Sequence, residues 1–295
     1  MDVLVTGGTG FIGTHLCRAL DERGHDVTAL SRHPEGADLP DSVDTAVGDV
    51  TAYDAAAAAM EGHDAVVNLV ALSPLFKPKG GDDRHREVHL GGTENVVTAA
   101  EEAGAEYVLQ MSALGADPEA RTAYLQSKGE AEDVVRESGL EHTIVRPSVV
   151  FGDGGEFVSF TKQLTTPYVT GLPGGGKTRF QPIWVQDLAP MLADAVEDDA
   201  HWGETYEIGG PEELTLADVT RLAYRAEGKS VRVLSVPMPL AGVGLRLTDP
   251  LPFVPFGADQ YRSLQFDNTV ADNDVTAFGV EASELTTLAE YLGVE

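Results

Sequence analysis

The sequence predicts an α/β fold, a doubly wound parallel sheet with a smaller carboxyl-terminal α/β lobe, from three observations. The chain opens with a short apolar run, residues 3–5, that passes through glycines into an amphipathic segment, residues 15–23. Apolar runs of strand length then alternate with helix-like stretches as far as residue 152, the rhythm of βαβ units. Residues 64–71, Asp-Ala-Val-Val-Asn-Leu-Val-Ala, are almost continuously apolar, as a central parallel strand covered on both faces must be.

The first strand runs into Thr6-Gly7-Gly8-Thr9-Gly10-Phe11-Ile12-Gly13. Gly8, Gly10 and Gly13 satisfy G-x-G-x-x-G, in which one glycine permits the turn, one admits a pyrophosphate to the backbone and one lets the helix pack on the strand. An anion there meets the unpaired N–H groups of a helix start. Gly7, Gly10, Phe11, Ile12 and Gly13 are thus candidate cofactor-binding residues. The second strand, 26–30, ends at Ser31 and Arg32. An NAD site places an acid at that point, whereas a hydroxyl beside a guanidinium suits a 2′-phosphate, so NADP(H) is preferred over NAD(H). Strand 43–47 leads into Gly48-Asp49-Val50, with Asp49 placed to accept from an adenine amino group. After a helix at 55–60, strand 64–71 delivers Val70 and Ala71 at its carboxyl end. Loop 73–81, with Lys77 and Lys79, is expected to border the site, because ligands of open α/β sheets bind beyond the carboxyl ends of strands. A long helix over 84–103, a strand at 107–112, a helix over 121–138 and a strand from 142 into Arg146-Pro147 complete a six-stranded core.

Beyond residue 152 glycine, threonine and proline break the rhythm. Residues 1–152 form one expected domain, to which 183–211 returns, and 153–295 form the smaller lobe. Within it 183–187 and 205–208 read as strands framing a helix at 188–196, and Thr215 as the N-cap of a helix over 215–227. Residues 236–257 alternate prolines with large apolar side chains, which fits a cover for a pocket or a partner. The end, 281–295, reads as helix. Gly171-Leu-Pro-Gly-Gly-Gly-Lys-Thr178 matches the Walker A string, but the extended chain and Pro182 that follow deny it the helix a phosphate loop requires. His85 and His89 are four apart on a helix without a third ligand, so no metal site is expected.

Composition narrows the classes further. In 295 residues there are 48 Asp and Glu against 20 Lys and Arg, a formal charge of −28. Such a surface repels phosphate backbones and anionic headgroups, so nucleic acid is not an expected partner. It suits concentrated salt, where screening relieves self-repulsion, and the scarcity of lysine points to a halophile. No apolar run has the length of a membrane span and no signal peptide is visible, so the expected location is cytoplasmic, with peripheral membrane association left open. The single cysteine, Cys17, is expected to be buried packing.

Chemistry converges on three residues. Tyr124 and Lys128 lie four apart on one predicted helix face, where an ammonium beside a phenol is expected to lower the tyrosine pKa toward that of a general acid for carbonyl reduction. Lys128 can also hold a nicotinamide ribose, and Ser112, at a strand end, is placed to bond a substrate oxygen.

These residues resemble the short-chain dehydrogenase/reductase superfamily in its extended and atypical branches, over nearly the whole chain. The matching stretches are Thr6 to Gly13, Gly48-Asp49-Val50, Asn68 to Ala71, and Tyr124-x-x-x-Lys128 with Ser112 twelve residues earlier. Arg146-Pro147-Ser148-Val149-Val150-Phe151-Gly152, Val185-Gln-Asp187 and Tyr206-Glu-Ile-Gly-Gly210 follow in order. The resemblance implies a Rossmann sheet, Pro147 and Val149 beside the nicotinamide, and a reductase or dehydrogenase acting on a carbonyl or alcohol of a small molecule. Residues 236–257, Asp259-Gln260-Tyr261 and Asp267-Asn268 are similar to the NADPH-binding accessory subunit of respiratory complex I and its prokaryotic relatives, which implies the alternative of a non-catalytic nucleotide-holding subunit or redox sensor with a protein partner. A sugar-nucleotide epimerase ranks third, because the smaller lobe has few cations for a diphosphate. His89 stands where the family has asparagine.

Overall fold

The computed structural model describes residues 1–238 and 258–294. The proline-rich stretch expected to cover a pocket or partner lies outside them from residue 239 to 257. The chain forms two compact units. The first comprises Met1–Leu72, Asp82–Arg146 and Val185–Tyr206; the second comprises Ser73–Gly81, Pro147–Trp184 and the chain from Glu207 onward. Loop 73–81 therefore belongs to the second unit, as do residues 147–152, which the sequence rhythm placed in the first.

In the first unit β1 (Asp2–Thr6), α1 (Phe11–Glu22), β2 (Asp26–Ser31), β3 (Asp44–Val47), α2 (Tyr53–Met60) and β4 (Ala65–Asn68) follow one another. Then come α3 (Asp83–His85), a π-helical run Arg86–Gly91, α4 (Gly92–Ala103), β5 (Tyr107–Met111), α5 (Ala123–Glu137) and β6 (Glu141–Pro147). The predicted uninterrupted helix over 84–103 is corrected by this π-helical insertion, a register change that no propensity scale reports.

Among the described residues the sheet has seven strands, the six of the expected core and Thr205–Ile208 from the stretch expected to return to it, in the order Thr205–Ile208, β6, β5, β4, β1, β2, β3. Neighbours from β6 to β3 pair in parallel. Every residue of β4 and β5 is buried, as a strand sandwiched between helices requires. Leu4, Leu30, Val66, Val108 and Ile144 pack against Met60, Val96, Ala100 and Val135 on one face, while α1 packs with helix Val185–Glu197. The chain runs outward from β1 through β2 to β3, then returns to place β4 on the other side of β1. That reversal makes the carboxyl ends of β1 and β4 the switch point at which ligands of open α/β sheets bind.

Among its described residues the second unit contains three two-stranded pairs. Val150–Phe151 lies parallel to Ile183–Trp184, Tyr168–Pro173 parallel to Val231–Val236, and Arg179–Phe180 antiparallel to Leu214–Thr215. Its core joins Phe151, Phe157, Val219 and Leu288. Thr215 caps helix Leu216–Arg225 through a full capping box with Asp218. The Walker-like string is strand Tyr168–Pro173, three glycines with positive φ (60°, 77° and 67°) and strand Arg179–Phe180, with no helix to receive a phosphate. The predicted terminal helix is instead a 3₁₀ turn, Ala282–Glu284, and a short helix, Leu288–Leu292, because Glu281 and Thr287 each form a capping box and start a separate element.

Candidate functional site

The turn after β1 has no room for side chains at two of the motif's glycines, Gly8 and Gly13. A Cβ on Gly13 would lie 2.2 Å from the Gly7 carbonyl oxygen and 2.7 Å from the Gly8 backbone, and one on Gly8 would lie 2.7 Å from the Ala29 Cβ. These close approaches seat the first turn of α1 directly on the strand turn. Gly10 is the exposed N-cap of α1, no side chain caps this helix, and no acid occupies its first turn. In a chain with 48 acids, that leaves the helix start free of competing carboxylates. Phe11 and Ile12, both half-buried, form this first turn.

On the adenosine side, Ser31 closes β2 with its Oγ buried and without a hydrogen-bond partner, next to the exposed Arg32. Asp49 accepts from Thr51 N (3.0 Å) and Thr51 Oγ1 (2.8 Å) through Oδ1. Partial burial opposes its ionisation, but the Thr51 donors, with Arg32 and Arg84, outweigh that and hold the carboxyl below its usual range. Val50 is buried beneath Gly92, and its carbonyl accepts from Asn95 Nδ2 at 2.8 Å, so α4 fixes this loop. The donor set fits a dinucleotide: Gly7 to Gly13 would hold its pyrophosphate, Ser31 and Arg32 its 2′ substituent, and Asp49 and Val50 its adenine.

At the other half, Asn68 ends β4 in a buried network. Its Oδ1 accepts from Thr6 Oγ1 (2.7 Å), and its Nδ2 donates to Thr93 Oγ1 (3.0 Å) and Gln110 Oε1 (2.9 Å). Val70 and Ala71 lie beyond the strand, which ends at Asn68 rather than at 71. Tyr124 and Lys128 share α5, whose start is capped by Thr122. The Tyr124 ring lies edge-on to His85 (5.6 Å) and His89 (5.3 Å). Lys128 is buried and donates from Nζ to the Met111 carbonyl at 2.8 Å. Burial pulls the Lys128 ammonium down to about 8, against the field of Glu132, which raises it.

Two expectations are corrected here. Burial pushes the Tyr124 phenol above its ordinary value, the reverse of the predicted lowering, since Lys128 turns its ammonium to a backbone carbonyl. Ser112, expected to bond a substrate oxygen, is buried and its hydroxyl donates to Glu132. Glu132, itself buried on α5, also accepts from Arg146 Nε (2.8 Å) and Arg146 Nη2 (2.6 Å), and from Arg136 Nη2 (2.7 Å). The sequence reading passed over Glu132; its spacing four residues beyond Lys128 on the same helix face was the available signal.

Pro147 and Val149 belong to the second unit, where Val149 N donates to Asn268 Oδ1 at 3.2 Å and Ser148 Oγ donates to the Asn268 carbonyl at 2.8 Å. Lys77 and Lys79 are also in that unit. Cys17 is buried on α1 against the Gly8 carbonyl (3.7 Å), and burial pushes its thiol up to about 12. Among the described residues no group of three or more His, Cys, Asp or Glu could hold a metal ion, and no helix is long and apolar enough to cross a membrane.

A family model described as NAD(P)H-binding matches residues 7–199. The chain belongs to this NAD(P)H-binding family. It is a member of the extended short-chain dehydrogenase/reductase superfamily, oxidoreductase-like in kind. Over 287 residues it is 28% identical to the mitochondrial NADH dehydrogenase [ubiquinone] 1 alpha subcomplex subunit 9 of Arabidopsis thaliana, covering 91% of this chain and 71% of that one. It is 30% identical to the chloroplastic divinyl chlorophyllide a 8-vinyl-reductase of Oryza sativa subsp. indica, over 84% of this chain and 64% of that one. The UDP-glucuronic acid 4-epimerase of Bacillus cereus, solved with UDP-glucuronic acid and NAD, superposes with a TM-score of 0.76 at 18% identity, over 100% of this chain and 98% of that one. At that identity the likeness is one of fold.

Proposed function

We propose that this protein binds NADP(H) in preference to NAD(H) and holds it as a retained nucleotide, as an accessory or sensing component with a protein partner. The setting we infer is a cytoplasm of high ionic strength, in which a charge of −28 is screened. Preference for the 2′-phosphate is supported by Arg32 and by the orphaned Ser31 Oγ, two donors at the point where an NAD site carries an acid. The observation that carries retention over turnover is the Ser112 hydroxyl, committed to a buried carboxylate that two arginines also bind. A reductase needs that hydroxyl for the substrate oxygen. The similarity to the Arabidopsis subunit supports the same reading.

The second reading is carbonyl reduction of a small molecule, favoured by Tyr124 and Lys128 a turn apart on α5 with Lys128 drawn down to about 8. Nicotinamide, when bound, supplies the hydride in such chemistry. Tyr124 would give the proton to the substrate oxygen, and Lys128 would support the resulting phenolate.

Binding titrations and a turnover panel separate the two. The expected result is tighter binding of NADPH than NADH, loss of that preference in Arg32→Asp, and no oxidation of NADPH by aldehydes, ketones or quinones. Turnover that Tyr124→Phe abolishes while NADPH binding persists would replace the first reading with the second. Equal losses of NADPH and NADH in Arg32→Asp would remove the 2′-phosphate assignment.

A further inference from the structure

The geometry points to His89 as a positioning residue that ties the backbone at the exit of β4 to α5, and so sets the floor under the nicotinamide half of the bound nucleotide; this rests on the NAD(P)H reading above. His89 is buried in the π-helical run Arg86–Gly91. Its Nε2 lies 2.9 Å from Leu72 N, and its Nδ1 lies 3.0 Å from Ser127 Oγ. A backbone amide only donates, so Nε2 must accept, and the ring proton of a neutral imidazole then sits on Nδ1. Ser127 Oγ, accepting from Nδ1–H, spends its own proton on the Tyr124 carbonyl at 2.9 Å. Each donor and acceptor of this relay is therefore matched, from the loop after β4 through the imidazole to the turn of α5 that carries Tyr124.

Strand order decides which half of the nucleotide this relay serves. Ser31, Arg32 and Asp49 follow β2 and β3 on one side of β1, whereas Leu72 follows β4 on the other. A dinucleotide with its pyrophosphate on α1 and its 2′ side at Arg32 extends its other half across the β4 exit, past Val70 and Ala71. The titratable groups around the imidazole are His85 from α3, and Tyr124 and Lys128 from α5. Burial first, then the charge of Lys128, then His85, hold His89 far below its ordinary value, at about 2. An imidazole kept neutral in this environment serves Leu72 N as a fixed acceptor.

The test compares NADPH with 2′,5′-ADP, which lacks the nicotinamide half, on the whole chain in concentrated KCl. His89→Leu is expected to weaken NADPH about tenfold or more, about 1.4 kcal/mol, while 2′,5′-ADP binding stays within about twofold of the unmodified protein. His89→Gln, whose amide oxygen can accept from Leu72 N, is expected to recover most of the loss. Unchanged NADPH affinity in His89→Leu, or equal weakening of both ligands, overturns the assignment. If the unmodified protein binds neither ligand, the nucleotide reading fails, and this assignment with it. Nitrogen NMR of the unmodified protein gives a readout independent of any variant: His89 is expected to show a protonated Nδ1 and a bare Nε2, unchanged between about pH 5 and 8. The opposite tautomer, or titration in that window, overturns the assignment even if His89→Leu does not fold.

Discussion

Lys128 shows how one side chain can carry a cost in the folded protein. Its ammonium is buried, with the Met111 carbonyl as its acceptor, and burial draws its pKa from 10.5 to about 8. The sign of the linkage follows. Between the folded value near 8 and the unfolded value near 10.5, the unfolded chain binds more protons, so stability rises with pH through that window. Below pH 8 both states are protonated and the cost is fully present. Cys17 and Tyr124, whose folded pKa values are raised, act in the opposite direction at alkaline pH, so the comparison must be made against a variant that retains them. Chemical denaturation of the native protein and of Lys128→Met is expected to differ by an amount that changes by on the order of 3 kcal/mol in favour of the native protein from pH 8 to pH 10.5. A pH-independent difference would mean that Lys128 is not buried as an ammonium.

At the scale of elements, the turn between β1 and α1 makes the sharpest demand. Gly13→Ala would drive a methyl into the Gly7 carbonyl and the Gly8 backbone, and neither atom is the end of a flexible side chain that could move aside. The expected outcome is a loss of about 1–3 kcal/mol in unfolding experiments together with loss of NADPH binding. Gly10→Ala meets only the Gly7 oxygen at 3.1 Å, so it is expected to fold with a smaller penalty and to lose affinity chiefly for the nucleotide.

This turn was legible in the sequence because spacing, strand and helix all point to one geometry. The alternation that gave β1 to β6 was equally plain, most of all at β4 and β5, which are covered on both faces and must be apolar. Three features were not legible, each for a physical reason. The π-helical run 86–91 rests on a backbone register that side-chain periodicity barely records. Engagement of Ser112 by Glu132 joins the end of β5 to α5, and Arg146 reaches the same carboxylate from β6, so these groups meet only once the sheet is assembled. The break in the last helix comes from two competing capping boxes, Glu281 with Glu284 and Thr287 with Glu290, where apolar spacing alone reads straight through.

For the whole molecule, net charge makes stability depend on salt. A formal charge of −28 on 295 residues resists compaction at low ionic strength, and a Debye length that falls from about 10 Å at 0.1 M salt to about 3 Å at 1 M removes most of that resistance. The melting temperature is therefore expected to climb steeply with KCl over that range, and a flat or falling profile would remove the case for a high-salt protein. Some ion pairs counter the repulsion locally: Arg23 meets Asp194 and Glu197, and Arg179 meets Glu213 and Asp267.

The path of the chain has a last consequence. It passes between the two units after Leu72, Gly81, Arg146, Trp184 and Tyr206, and the outermost strand beside β6 is supplied only by Thr205–Ile208. During synthesis β6 emerges long before its neighbour and waits with a bare row of peptide groups, the kind of template on which nascent chains stick to one another. Fragments cut anywhere before Tyr206 should inherit that hazard permanently. Point substitution is thus the sounder instrument for dissecting this sheet.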